Sequence, residues 1–334
     1  MVKSTISTDI LDDSNTKENI VYNNNMPCCA STFIAVKEGH IKCLSTYRPE
    51  DLLRVNKSGQ SLLHLATYLG NLKVVNFLIG KVPCLIDSRN EIHETPLLIA
   101  SYCGHINIIN KFLDTSHDVA IQRASHKDKN GTTCLMAAIS RNDNETSLFL
   151  LKRFGKTIAS ISNNNGMLPL HVAALNGNIE FIRICTKYDQ SMVNCKDNYG
   201  YTPLIYSIQS GCFLSVKYLV EKAKSDIRIR TPKGQSCLHA SCIIGNIQIV
   251  KYFLSLLGND SILEETNDLA NCIHCASFHG NIEVLRILAE NFKSKRKKEI
   301  LSLKDSRGNT PLHLAAINDR TAIAKYLVSL KFIN

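Results

Sequence analysis

The sequence predicts an all-α solenoid, in which units of two antiparallel helices and a turn stack in a row. Three observations lead to this prediction. One short sequence motif recurs along the chain at spacings of 34, 38, 35, 34, 34, 35 and 39 residues. Helix start and stop signals stand at the same places in the copies. Apolar residues at helical spacing follow the motif. A solenoid of this kind buries its core only between neighbouring units.

The recurring motif consists of a Gly-containing turn, Thr-Pro-Leu or a relative, a His or apolar residue, small residues, and a Gly six positions after the His. The His slot is filled by His64, Leu98, Met136, His171, Ile205, His239, His274 and His313. A degenerate earlier copy has Phe33, Ala35 and Gly39 in the corresponding slots. We therefore expect about nine repeats, the first and the last of which act as caps.

Each slot has a physical reason. Pro96, Pro169, Pro203 and Pro311 stand at a first helical position, where the missing N–H costs no hydrogen bond, and a preceding Thr can cap three of these helices. Small residues allow paired helices to approach, and the Gly accepts the left-handed conformation that ends the first helix. Asn142 and Asp319 replace that Gly. The two long spacings fall before Asp128 and Asp305, where we expect loop insertions.

These features resemble the ankyrin repeat, whose period and Thr-Pro-Leu-His-x-Ala core the chain shares over residues 30–331. The resemblance implies an ankyrin-repeat solenoid with β-hairpin fingers between the helix pairs. Residues 1–29 are rich in Ser, Thr, Asn and Asp and predict a disordered polar tail before the ankyrin-repeat domain of residues 30–331.

A closer likeness covers Gly166 to Leu219. The segments Gly166-Met167-Leu168-Pro169-Leu170-His171, Gly200-Tyr201-Thr202-Pro203-Leu204 and Val216-x-Tyr218-Leu219 look like the middle ankyrin repeats of the espins. The resemblance implies an espin-like scaffold that helps to organise actin filament bundles and binds a class III myosin tail. The bundling region, proline-rich segment and actin-monomer motif of espins are not visible in the sequence, so we expect any actin association to be indirect. Whether the chain is complete or a fragment is left open.

Composition and charge restrict the classes of function. The chain has 334 residues, 44% of them hydrophobic, and a formal net charge of +10. No apolar run approaches the roughly 20 residues that cross a bilayer, and no secretory signal is recognisable. We expect a cytoplasmic monomer without membrane insertion, and the espin likeness adds an association with the cytoskeleton.

The sequence predicts no catalytic residue, no metal site and no cofactor. The His residues occupy a structural slot, and no nucleophile recurs beside a His with an orienting carboxylate. Cys272, His274 and Cys275 have ligand-like spacing, but Cys237 and His239 lie one repeat away, too far to share a zinc ion. The role of Cys28 and Cys29 is left open.

A concave groove is the predicted binding site for a protein or peptide partner. Positions four and five after each His slot, and residues of the fingers, should face it. The candidate groove residues are Tyr68, Leu69, Tyr102, Leu175, Tyr199, Tyr201, Gln209, Gln235, Ile243, Ile244, Phe278 and His279.

A basic loop is predicted between the last two repeats, at Lys293, Lys295, Arg296, Lys297 and Lys298. It is either a solvated loop or a patch for nuclear import or an acidic partner. The rest of the positive charge is scattered and no recognition module is visible, so nucleic-acid binding is not expected.

Two functional hypotheses remain at this stage. The first is the espin-like, non-catalytic scaffold that binds a class III myosin tail. The second is an ankyrin adaptor or effector unrelated to actin, such as a substrate-recruiting subunit or a part of a larger channel. The sequence does not name the partner.

Overall fold

The computed structural model describes residues 29–332, except for the side chains of residues 294, 295, 331 and 332. The tail predicted for residues 1–29 therefore lies outside the described residues, apart from its last residue. Cys29, which belongs to the tail predicted from the sequence, is buried.

The chain divides into two compact units, residues 1–164 and residues 165–334. The helices of unit 1 are α1 (Thr32–Lys37), α2 (Ile41–Leu44), α3 (Leu62–Tyr68), α4 (Leu72–Lys81), α5 (Pro96–Cys103), α6 (Ile106–Leu113), α7 (His117–Ala124), α8 (Cys134–Ser140), α9 (Asn144–Phe154) and α10 (Lys156–Ala159). The first helices of successive pairs, α1, α3, α5 and α8, pack in a row, and α2, α4 and α6 form a second row.

Unit 2 repeats this arrangement. Its helices are α11 (Pro169–Leu175), α12 (Ile179–Tyr188), α13 (Pro203–Gln209), α14 (Phe213–Glu221), α15 (Cys237–Ile244), α16 (Ile247–Leu257), α17 (Cys272–His279), α18 (Ile282–Glu290), α19 (Ser294–Ile300), α20 (Pro311–Ile317) and α21 (Thr321–Phe332). The first helices α11, α13, α15, α17 and α20 pack in chain order, as do α12, α14, α16 and α18. Over residues 29–332 this gives nine helix pairs, which confirms the expected all-α repeat fold.

The core of each pair is built from the apolar stripe of the second helix and the small residues of the first. Phe112, Phe181 and Phe253 are fully buried second-helix side chains. Ala66, Ala173 and Ala276, two places after the His slot, are also fully buried. A larger side chain at these positions would separate helices that are packed at close range.

Helix caps follow the sequence signals. The hydroxyls of Thr95, Thr202 and Thr310 accept hydrogen bonds from main-chain N–H groups in the first turns of α5, α13 and α20. At the other end of the first helices, Asn142 and Asp319 adopt a positive φ of 54°. Asn and Asp tolerate this conformation better than other side chains, which explains why they can replace the Gly.

The two long spacings contain helices rather than the loops expected from the sequence. Helix α7 fills the insertion before Asp128 and α19 fills the one before Asp305. Helix α7 has two buried apolar residues at helical spacing, Ala120 and Ala124, and α19 ends at the buried Ile300. Burial of those residues stabilises the two inserted segments as helices.

The fingers differ from the β-hairpins implied by the ankyrin likeness. In the described part of the chain the one strand-type pairing is an isolated antiparallel bridge between Val55 and Ser61. Seven of the fingers are five-residue turns closed by a main-chain bond from the first N–H to the fifth carbonyl, for example Asp197 N–H to Tyr201 O at 3.0 Å. The side chain of the first residue replaces further strand pairing, because Asp197 Oδ1 accepts the N–H groups of Tyr199 and Tyr201.

The fourth residue of a finger has a positive φ, and Leu269 occupies that place at 55° with an exposed side chain. A left-handed Leu stores about 1–2 kcal/mol of strain. We expect Leu269→Gly to stabilise the protein by about 0.5–1 kcal/mol after the greater entropy of Gly in the unfolded chain is subtracted. Thermal melts would measure this change. Leu303→Gly, at an exposed Leu without a positive φ, is the matched control and should destabilise instead.

Candidate functional site

Neighbouring fingers are joined by a ladder of main-chain hydrogen bonds. In each case the second residue of one finger donates its N–H to the carbonyl of the third residue of the preceding finger. In unit 1 the pairs are Glu91 to Ser58, Lys129 to Ile92 and Asn164 to Asn130, and in unit 2 they are Asn198 to Asn165, Asn267 to Lys233 and Ser306 to Asp268. The ladder fixes the spacing of the fingers within each unit.

One bond of this ladder is missing in unit 2. The second residue of the finger at 231–235 is Pro232, which has no N–H to donate to the carbonyl of Tyr199. The Pro232 ring instead packs against Gly200, where an added Cβ would stand 2.6 Å from the proline Cγ. The fingers that carry Tyr199 and Lys233 are therefore adjacent without the main-chain bond found at the other steps.

We use the term finger-side surface for the fingers together with the C-terminal ends of the first helices. In unit 2 this surface carries exposed apolar side chains from three successive repeats: Tyr199 is 57% exposed, Ile244 is 40% exposed and Phe278 is 44% exposed. The Phe278 ring also contacts the ring of His279, with 5.0 Å between centroids. Exposed apolar groups in such a row are typical of protein-binding surfaces.

The candidate groove residues differ in exposure. In unit 1, Leu69 is exposed, whereas Tyr68 and Tyr102 are half-buried, and burial raises the pKa of the Tyr102 phenol to about 12. In unit 2, the exposed candidates are Tyr199, Gln209, Ile244, Phe278 and His279, and the half-buried ones are Leu175, Tyr201, Gln235 and Ile243. Their role in binding stays a prediction.

Tyr201 is more firmly packed than a groove residue would need to be. Its ring meets the ring of Tyr206 edge-on, with 5.9 Å between centroids. Tyr206 is buried and donates its hydroxyl to Asp197 Oδ2 at 2.6 Å, so both tyrosines support the finger. Substitution of Tyr201 would therefore disturb the fold as well as the surface.

Two exposed apolar residues on the finger-side surface of unit 2 were not among the candidates. Ile317 is 68% exposed and lies four positions after His313, the slot that Phe278 occupies in the preceding repeat. The slot rule could have identified Ile317 if the last repeat had not been treated only as a cap. Leu269 is exposed at the fourth position of its finger, where most of the other fingers have a Gly, and it was not singled out from the sequence.

The histidines of the repeat slot hold neighbouring repeats together. His64 Nδ1 accepts the N–H of Ser61 at 3.1 Å, and Nε2–H donates to the carbonyl of Glu94 in the next finger at 3.0 Å. His239 makes the same two bonds, to Ser236 N–H and to the carbonyl of Ala270. Burial lowers the pKa of both imidazoles to about 4, so they are neutral at pH 7. Their hydrogen bonds therefore support the packing of one repeat against the next.

The sulfur atoms near His274 behave as packing groups. Cys237, Cys272 and Cys275 are buried, and burial raises the pKa of Cys237 and Cys275 to about 12. Neutral thiols of this kind pack as small apolar side chains.

One group within residues 29–332 has the composition of a metal site. The ligand atoms of Cys29, His40 and Cys43 all lie within 4.8 Å of one another. Sequence reasoning missed this group because Cys29 was assigned to the tail and the three residues do not share a repeat slot.

The basic segment forms helix α19 rather than a loop. Arg296 lies 3.6 Å from the carboxylate of Asp260 and stacks over the ring of Phe292. Lys293 and Lys298 are exposed, and Lys297 is partly buried. Arg296 thus pairs with groups of unit 2 itself. The binding of an acidic partner by the basic segment stays a prediction.

Three features define the class of protein: paired helices with left-handed caps, fingers closed by a main-chain bond, and a row of exposed apolar side chains. Together they are typical of a helical-repeat protein whose surface suits the binding of other proteins. The family profile described as ankyrin repeats in three copies matches residues 80–161, 155–231, 215–299 and 270–334, and the single ankyrin-repeat profile matches residues 58–91. The chain belongs to the ankyrin-repeat family.

Several relatives show how widely the array is used. The chain is 26% identical over 236 residues to the probable 26S proteasome regulatory subunit p28 of Saccharomyces cerevisiae, which covers 70% of this chain and 98% of the yeast protein. It is 25% identical over 315 residues to the NAD-dependent deacetylase sir2B of Dictyostelium discoideum, or 81% of this chain and 38% of that protein. It is also 26% identical over 236 residues to the human transient receptor potential cation channel subfamily A member 1, or 70% of this chain and 19% of the channel.

Among the described residues, none of the helices combines the length and the apolar character needed to cross a bilayer.

Proposed function

We propose that this chain is a non-catalytic, cytoplasmic scaffold that holds a segment of a partner protein against the finger-side surface of unit 2. The observation that carries the proposal is the row of exposed side chains Tyr199, Ile244 and Phe278. Each comes from a different, successive repeat.

The spacing of these anchors favours a peptide over a compact ligand. Neighbouring first helices pack about 8–10 Å apart, so the row spans roughly 20 Å. An extended or helical segment can contact all three anchors, whereas a small molecule would reach one of them. The half-buried Ile243 and Gln235 lie beside the row and can shape its floor.

Two partner classes follow from different observations. The likeness to the yeast protein named as a 26S proteasome regulatory subunit, nearly all of which the chain spans, favours an adaptor that works with the proteasome. The espin-like sequence of Gly166 to Leu219 favours a class III myosin tail, with actin filaments and the cytoskeleton reached through that partner. None of the three relatives described above is named for actin or myosin, so we rank the adaptor first.

The test measures binding of the full chain to purified 26S proteasome and, in parallel, to a labelled class III myosin tail fragment with and without actin filaments. Burial of an apolar anchor contributes about 1.5–3 kcal/mol to binding. We therefore expect Tyr199→Ala and Ile244→Ala each to weaken binding of the partner by about tenfold or more.

Matched controls are available on the second helices of the same unit. Leu214 on α14 and Leu256 on α16 are as exposed as the anchors, and their substitution by Ala should leave the affinity unchanged. Melting curves should be the same for all four variants. Equal affinity of the anchor variants and the wild-type chain would contradict the proposal, and a loss of binding that tracks a loss of stability would show that the anchors are core residues.

A further inference from the structure

The first helix pair is the least supported part of the array. Helix α1 has six residues and α2 has four, which makes this pair the shortest of the nine in the described chain. Short helices depend on tertiary contacts, because they lack enough internal hydrogen bonds to be stable alone. A further constraint on this pair would therefore matter more than elsewhere.

Three side chains that can bind metal meet at this pair. Cys29 precedes α1, His40 is the N-cap residue of α2, and Cys43 lies within α2. The Sγ atom of Cys29 lies 3.1 Å from Nδ1 of His40, and the ligand atoms of all three lie within 4.8 Å of one another. Both thiols are buried, at 6% and 5% exposure, while the imidazole is on the outside.

The residues equivalent to His40 in later repeats, at the N-cap of the second helix, make a different contact. The equivalent His105 contacts the carbonyl of Tyr68 in the preceding repeat, and Asn246 donates to the carbonyl of Gly211 in the same way. No helix pair precedes α1 in the described residues, and His40 places its ring nitrogen against the sulfur of Cys29 instead. The histidine is thus directed toward the two thiols rather than toward a neighbouring repeat.

We propose that Cys29, His40 and Cys43 form a zinc site that closes the N-terminal helix pair. Tetrahedral zinc has Zn–S bonds of about 2.3 Å and Zn–N bonds of about 2.0 Å, so its ligand atoms stand about 3.5–3.8 Å apart. The atoms of this group need to move only slightly to reach those separations. On binding, both thiols lose their protons and the metal holds two thiolates and one neutral imidazole.

The ligand set selects the class of metal. Two sulfurs and one imidazole favour zinc over calcium or magnesium, which require oxygen ligands. A fourth coordination position remains for a water molecule. The hydroxyl of Tyr47 donates to the main-chain carbonyl of Cys29 at 3.5 Å, which helps to hold that ligand in place.

The experiment titrates the full chain, purified under reducing conditions and freed of metal, with cobalt(II) as a spectroscopic substitute for zinc. We expect one equivalent to produce the charge-transfer and ligand-field bands of tetrahedral cobalt bound to thiolates, and zinc to abolish them. Zinc should also raise the melting temperature of the chain.

Variants separate this site from the other cysteines. His40→Ala changes an exposed side chain and should keep the fold while weakening cobalt binding at least a hundredfold, and Cys43→Ser should do the same. The control Cys272→Ser/Cys275→Ser alters the other Cys and His cluster and should keep the bands. Absence of the bands in the wild-type chain, their persistence in His40→Ala, or a disulfide between Cys29 and Cys43 in the purified protein would overturn the proposal.

Discussion

Acidification from pH 7 to pH 4 should strongly destabilise the array, because its buried histidines bind protons more readily in the unfolded chain than in the folded one. Burial lowers the pKa of His64 and His239 to about 4, and it also lowers the pKa of His171 and His274. In the unfolded chain an imidazole has a pKa of about 6.5. Between pH 6.5 and 4 the unfolded state therefore binds more protons than the folded state, and the free energy of unfolding decreases as the pH falls.

The expected magnitude is large. A shift from about 6.5 to about 4 corresponds to about 3 kcal/mol for each of His64 and His239, fully present above pH 6.5 and lost as the pH approaches 4. Urea unfolding at a series of pH values, followed by circular dichroism, measures the dependence. It should be steepest between pH 6 and 4.5, before most carboxylates titrate.

A matched pair of variants tests whether the histidines of the repeat slot cause the pH dependence of the free energy of unfolding. His239→Asn removes the titrating group but keeps an oxygen that can accept the N–H of Ser236, and the slope should fall by up to about 1.4 kcal/mol per pH unit. His117→Gln, at an exposed position on α7, should leave the slope unchanged. An unaltered slope in His239→Asn would show that other groups cause the acid sensitivity.

Gly131→Ala should destabilise unit 1 by about 3 kcal/mol or more. Gly131 has a φ of 78°, which strains an Ala by about 1–2 kcal/mol. A Cβ added there would also collide with the main-chain nitrogen of Asn164 and stand 2.9 Å from the carbonyl carbon of Asn163. Overpacking against main chain adds about 1–3 kcal/mol, since the backbone has little freedom to move away.

The strain and the collision can be separated. Gly308 occupies the same finger position with a φ of 81°, but an added Cβ there would have no atom within 4 Å. Gly308→Ala should therefore cost only about 0.5–1 kcal/mol, which is the strain less the gain from the lower entropy of Ala in the unfolded chain. Equal losses for the two variants in urea unfolding would show that the finger at Asn164 accommodates the added Cβ without cost, which would contradict the predicted collision.

The sequence predicted the repeat register and the helix caps because these depend on residues close together in the chain. Thr202, Pro203 and the left-handed position after the first helix act within one turn, so their spacing is sufficient to identify them. The same holds for Asn142, which replaces a Gly without a change of conformation.

The sequence did not predict features that depend on contacts between distant segments. Helices α7 and α19 form because their apolar residues are buried, which spacing alone could not reveal. The group of Cys29, His40 and Cys43 exists only after α1 and α2 have packed together. Within the candidate site, the slots identified Ile244 and Phe278, but the packing of Tyr201 against Tyr206 depends on the geometry of one finger.

The proline in the finger at 231–235 gives unit 2 an uneven mechanical strength. At the other described positions of the ladder, neighbouring fingers are joined by a main-chain hydrogen bond, which is short, directional and independent of side-chain identity. At Pro232 the two fingers contact each other through the proline ring, which packs against Gly200, and their repeats also pack through the helices. Such van der Waals contacts are less directional than a hydrogen bond. Under a pulling force we expect the row of fingers to separate first at this step, beside Tyr199, because the main-chain bond found at the other described steps is missing there.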